Sequence, residues 1–106
     1  MNDLEIIQSF YISGNTLITK HAAYRLEERA IDFTCIKSGI MSGEIIEDYP
    51  TDYPNPSVLI LGYTDNNTPI HIVIGIGADN IQVITAYYPS LVIWEADFKT
   101  RKVVKE

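Results

Sequence analysis

The sequence predicts an α+β fold in which N-terminal helices pack on a four-stranded antiparallel meander sheet. Three observations carry that prediction. Apolar residues in the first forty positions recur at three- and four-residue spacings, the period of a helix. From Gly43 onward they alternate or run continuously between breaks rich in Pro, Asn and Gly, as strands and turns do. The helices come first and the strands follow in one block, the order of an α+β domain rather than of βαβ units. One domain spanning 1–106 is expected, able to bury roughly 60 to 70% of its unfolded surface.

Residues 3–11 place Leu4, Ile6, Ile7 and Phe10 at helical spacings, with Asn2 or Asp3 able to cap the first backbone N–H groups. Ser13-Gly14-Asn15 breaks that helix, and 16–18 reads as a brief extended piece before Thr19 caps the next. That helix, 20–31 (KHAAYRLEERAI), is the stretch around which the chain is organised. At four-residue steps His21, Arg25 and Arg29 share one ridge. Ala22, Leu26 and Ala30 form an apolar ridge beside it that must pack on something. Asp32 caps a further helical run, 33–41, which Ser42-Gly43 closes, glycine being the residue that most easily turns left-handed at a helix end.

The first strand is 44–49. In the loop that follows, YPTDYPNPS, three prolines remove backbone donors and fix φ, which keeps it irregular and at the surface. Residues 58–63 are nearly all apolar and predict a strand buried on both faces. TDNNTP then turns the chain into 70–76 to make a hairpin, and Ala78, Asp79 and Asn80 turn it again into 81–88. Pro89 stops that strand, and 92–99, around Trp94 and Phe98, reads as a short terminal helix.

With 46% hydrophobic and 21% charged residues the composition is that of an ordinary globular fold. The single cysteine, Cys35, has no partner for an internal disulfide or a zinc site; it reads as a small buried hydrophobe and suggests a reducing, cytoplasmic setting. No apolar run is long enough to cross a bilayer, and the opening Met-Asn-Asp-Leu-Glu does not read as a signal peptide. A formal net charge of −6 disfavours generic nucleic-acid binding, because lysine and arginine supply most affinity for phosphate. The charge is unevenly spread. Between Lys37 and Lys99 there is no lysine or arginine but there are eight acids, while Lys20, Arg25, Arg29 and Lys37 lie before that interval and Lys99, Arg101, Lys102 and Lys105 at or beyond its end. An anion would be expected where these two basic groups meet.

The segments HAAYRLEERAI, GEIIEDYP, PSVLILGYTDNNTPIHIVIGI, VITAYYP and WEADFKTRK resemble a bacterial family known as domain of unknown function 4258, over residues 19–102. Its members carry a histidine, three residues and an arginine on an early helix, then a Gly-Glu-Ile strand and a hairpin whose second strand holds a histidine. The matching positions here are His21 and Arg25, Gly43 and Glu44, and His71. That family is similar in layout to the RelE and BrnT toxins, small α+β proteins grouped with metal-independent ribonucleases. The resemblance therefore implies a RelE-like fold and a toxin-like endoribonuclease held in check by an antitoxin-like partner. Toxins of that group place cations on the sheet, and this sheet has none.

Cleavage of RNA without a metal needs a base for the 2′-hydroxyl, an acid for the leaving oxygen and cations for the charge building on phosphorus. His21 and His71 fit the proton transfers, since histidine titrates near neutrality. Arg25 and Arg29 fit the phosphate through their forked donors, with Lys99 and Arg101 as further RNA contacts. Tyr87 or Tyr88 would stack on a base or donate a hydrogen bond. Each also has a plainer reading: Arg25 paired with Glu28, Arg29 with Asp32, and His71 as a hydrogen-bonded half-buried histidine. Glu44 and Asp48 would share one face of their strand and Glu47 the other, so no three-carboxylate metal cage is expected. No cofactor is implied. The alternative function is a non-catalytic protein-interaction module of the same fold, which the acidic charge favours. Homo-oligomerisation through an exposed sheet edge is compatible with either.

Overall fold

A computed structural model of the chain describes residues 1–103. Three helices precede most of the sheet: α1 (Asp3–Ile12), α2 (Lys20–Glu28) and α3 (Phe33–Met41). Each begins at the cap its sequence supplies. The Asn2 side chain accepts from Glu5 N–H at 2.8 Å while Glu5 accepts from Asn2 N–H, a reciprocal capping box. Thr19 Oγ1 accepts from Ala22 N–H at 3.1 Å, and Asp32 from Cys35 N–H at 3.0 Å.

The second helix stops three residues earlier than the expected 31. Ala30 takes a left-handed conformation (φ +56°), Ile31 N–H reaches back to Leu26 O at 2.9 Å, and Ala30 N–H to Glu27 O at 3.1 Å. This is the Schellman arrangement, and Ile31 and Leu26 are both buried, as its apolar contact requires. Ala30 thus leaves the apolar ridge predicted for it and is exposed. Gly43 is not left-handed, contrary to expectation. It is small because a Cβ there would lie 2.4 Å from Ile60 Cγ2 and 2.6 Å from Gly39 O.

The sheet has five strands, not four: β1 (Thr16–Ile18), β2 (Glu44–Tyr49), β3 (Ser57–Tyr63), β4 (Pro69–Ile76) and β5 (Ile81–Tyr87), in the order β1-β5-β4-β3-β2. The meander β2 to β5 is antiparallel as predicted. The brief extended piece becomes an edge strand running parallel to β5, from Thr16↔Ile81 to Ile18↔Val83. Three residues are too few to show a period, and the pairing partner lies more than sixty residues away.

All three helices lie on one face. Ile7, Leu26, Ile36 and Ile40 pack with Val58, Ile60, Ile70, Ile72, Ile74, Ile81 and Val83, all buried. Backbones approach closely where α3 crosses β3: a Cβ on Gly62 would sit 2.0 Å from Gly39 O.

The other face carries Leu59, Leu61 and His71, also buried, so β3 is covered on both sides as its sequence predicts. Residues 89–103 cover this face, and they are not the terminal helix expected at 92–99. They form a tight loop in which Glu95 N–H donates to Thr100 O and Lys102 N–H to Ile93 O, both at 2.8 Å, with Trp94 opposite Arg101. The Asp97 carboxylate accepts from the backbone N–H groups of Lys99 and Thr100, offering that turn an alternative to helix.

Beta-strand β2 also departs from the expected alternation. The register passes from Ile45↔Ile60 to Glu47↔Leu59, leaving Ile46 as an extra, bulged residue. Glu44, Glu47 and Tyr49, opposite Leu61, Leu59 and Ser57, therefore share the face under the C-terminal loop. Asp48, expected beside Glu44, faces the other way.

Candidate functional site

Helix α2 presents three faces. Ala22 and Leu26 are buried toward the sheet. On one flank His21 and Arg25 stand exposed a turn apart, with Glu28 beside them. Among the described residues Arg25 forms no ion pair, with Glu28 or otherwise. Arg29, at the helix C-cap, turns inward: its Nη1 donates to Thr85 Oγ1 at 3.0 Å and to Ala86 O at 2.9 Å. The β1 pairing ends at Val83, so Arg29 occupies the β5 edge just beyond it. It joins α2 to β5 and does not pair with Asp32.

His71 lies on the opposite face of the sheet and is fully buried. Its Nε2 is 2.6 Å from Phe98 O, an atom that can only accept, so Nε2 carries the hydrogen; Nδ1 then accepts from Tyr87 Oη at 3.3 Å. Trp94 meets the imidazole edge-on at 4.5 Å between centroids, and the Arg101 guanidinium lies over the indole at 4.5 Å. Arg101 in turn grips Glu47 through two bonds of 2.8 and 2.9 Å, and Glu47 accepts from the Tyr49 hydroxyl.

The electrostatics follow from these contacts. Burial lowers the His71 pKa, opposed by its bond to Phe98 and by the Glu47 charge, so the ring is neutral at pH 7 with both nitrogens engaged. The hydrogen bond from Arg101 holds the Glu47 carboxyl below the usual range. Burial, then the bond to Glu47, pushes Tyr49 up to about 12. Burial raises Tyr87 as well.

The structure thus brings His71, Tyr87 and Arg101 into one polar cluster, buried at His71 and half exposed at Arg101, and leaves His21 and Arg25 on the helical side of the sheet. The expected meeting of the two basic groups does not occur. Lys99 pairs with Glu44 at 3.2 Å and Arg101 with Glu47, at the β2 edge, whereas α2 lies over β5 near the opposite edge. Lys105 lies outside the described residues. Sequence reasoning missed Glu47, Tyr49 and Trp94 as members of the cluster. The tryptophan was a usable signal, since so large an apolar ring seven residues after a strand needs a surface to cover; the bulge that aims Glu47 has no local signature. Tyr88, partly exposed, lies instead near Cys35, its Oη 3.9 Å from Sγ, beside a polar hollow lined by Asp32, Thr34 and Asp65. No group of three or more potential metal ligands converges among the described residues, and no helix there is long and apolar enough to cross a membrane.

A further opening lies elsewhere. A groove of about 530 Å³ runs between Ile18 of β1, Ala23, Leu26 and Glu27 of α2, and Ile31, Asp32 and Phe33 at the start of α3. Its walls are mainly apolar, and Phe33 stands 71% exposed at its mouth. It occupies the flank of α2 away from His21 and Arg25.

No curated protein and no solved structure matches the chain. A family model does, over residues 18–88, from the end of β1 through α2, α3 and the meander to Tyr88; α1 and the C-terminal loop lie outside it. By that match, which covers more than half of its length, the chain belongs to the family described as Domain of unknown function (DUF4258).

Proposed function

We propose that this protein is a non-catalytic protein-interaction module that docks a partner protein in the groove between β1, α2 and α3. One contrast carries the reading: the groove is open and apolar, while the groups suited to acid–base chemistry are either shut beneath the C-terminal loop or on separate faces. An acid and a base must reach the same phosphate to cut RNA. His71 has no nitrogen to spare and no route to solvent, and the sheet stands between it and His21. Open apolar clefts with a few polar groups are the usual sites of recognition.

A second reading, a toxin-like ribonuclease on a RelE-like fold, is favoured by one observation. His21 and Arg25 are exposed a turn apart, so an imidazole and a guanidinium are available to the same phosphate. The test is incubation of the purified protein with structured and single-stranded RNA in the presence of a chelator, alongside His21→Ala and Arg25→Ala. Intact RNA is expected. Cleavage by the unaltered protein that both variants lose would replace the module by the nuclease.

A further inference from the structure

We infer that the groove's partner is a short protein segment bearing bulky apolar side chains flanked by lysine or arginine. The inference rests on the interaction-module reading and adds the chemistry of the occupant. The groove's floor, Ile18, Ala23, Leu26 and Ile31, offers hydrocarbon, and two alanines of the lining, Ala23 on α2 and Ala30 just past its end, leave the space for large side chains. Its size falls in the range of roughly 300–1,000 Å³ typical of pockets that bury most of a ligand.

The charged groups of the lining are both acidic. Glu27 and Asp32 stand at the rim and, among the described residues, no lysine or arginine lines the groove, although the chain has four basic residues in its first forty positions. His21 and Arg25 lie on the far flank of α2, Arg29 is engaged on β5, and neither Glu27 nor Asp32 forms an ion pair among the described residues. Asp32 is held as a carboxylate by the Thr34 hydroxyl and the Cys35 amide, which lower its pKa. An apolar floor with an anionic rim complements an apolar segment with cationic flanks. A second copy of this chain would bring a net charge of −6 and two more rim acids to the same place, and a nucleic acid would find carboxylates where it needs cations. Beside the groove, β1 is an edge strand with no paired strand on its outer side among the described residues, which offers backbone groups to a segment in extended form.

The experiment uses the full chain, isotope-labelled for NMR, and two synthetic peptides with the same Leu-Phe-Leu core, one flanked by lysines and one by glutamates. The lysine peptide is expected to shift the amides of Ile18, Ala23, Glu27 and Phe33 and to bind about tenfold more tightly than the glutamate peptide at about 0.15 M salt. Glu27→Lys, at an exposed position, should remove most of that preference, and Ala23→Arg, which fills the groove, should weaken both peptides. Equal binding, no binding, shifts outside the groove, or groove shifts that appear on raising the protein concentration alone would each overturn the inference. A preference for the glutamate peptide at these same amides overturns the basic partner and leaves the module standing; RNA cleavage overturns both.

Discussion

Neutral His71 holds the C-terminal loop to the sheet, because its two ring nitrogens have opposite roles: one donates to Phe98 O and the other accepts from Tyr87. A proton added to Nδ1 would replace that acceptor with a donor and place a charge in a buried site, where only Glu47, already taken by Arg101 and Tyr49, opposes it. The sign of the pH effect follows. Burial lowers the folded pKa below the unfolded value of 6.5, so the unfolded chain binds the proton first as pH falls. Stability is fully present above about pH 7 and declines as pH drops through 6.5 toward the folded value, by at most about 1.4 kcal/mol per pH unit for one proton. Glu47 acts lower down: its lowered pKa contributes stability above its unfolded value of 4.5 that is lost only as pH falls further. Urea unfolding between about pH 7.5 and 5 should therefore show a slope that His71→Gln loses, and a slope unchanged in that variant would show that another group carries it. At Ala30 the expectation runs the other way. A left-handed alanine at a helix end costs about 1 kcal/mol relative to glycine, so Ala30→Gly should raise the urea midpoint, and a lowered midpoint would sink this account of the helix end.

The C-terminal loop lies outside the matched family region, yet the sheet is covered on that side only because of it. Trp94 is 2% exposed and rests on His71, and Lys99 and Arg101 of the loop are tied to β2. Trp94→Ala is expected to cost about 3–5 kcal/mol in urea unfolding, as large-to-small changes at buried aromatic rings do. Arg101→Ala should cost about 1 kcal/mol or less, since its side chain is half exposed and solvent screens the pair. A loss at Trp94 no larger than at Arg101 would mean the loop merely rests on the surface. This division also explains what was legible. The helix starts were readable because Asn2, Thr19 and Asp32 act on backbone groups within three residues, and the meander because its turns are local. The joining of β1 to β5 and the ion pairs that hold the loop to β2 depend on partners 54 to 65 residues away, and the bulge at Ile46 on its register with β3, so no local pattern records them.

Charge is where the whole molecule departs most from its sequence. Two basic groups flank an acidic interval in the chain, and the simplest folding would bring them together to hold an anion. Instead Lys99 and Arg101 find Glu44 and Glu47, which face them together only because of the β2 bulge, while Arg29 is drawn into the β5 edge. The site residues were thus legible as types, and their convergence was not, because it turned on a one-residue shift in register. The consequence for partners is measurable. With its cations dispersed and a net charge of −6, the protein should bind single-stranded RNA no better than a Kd of about 10⁻⁴ M at physiological salt, the weak end of non-specific binding. Fluorescence anisotropy across a salt series provides the check, because each phosphate neutralised on a single strand adds about −0.7 to the slope of log K against log salt. A slope near zero is expected. A slope of about −2 that fell by one such step in Arg25→Ala would mean that the exposed flank of α2 gathers phosphates after all, and the chain would have to be read as an RNA-binding protein whose acidic groove serves some other purpose.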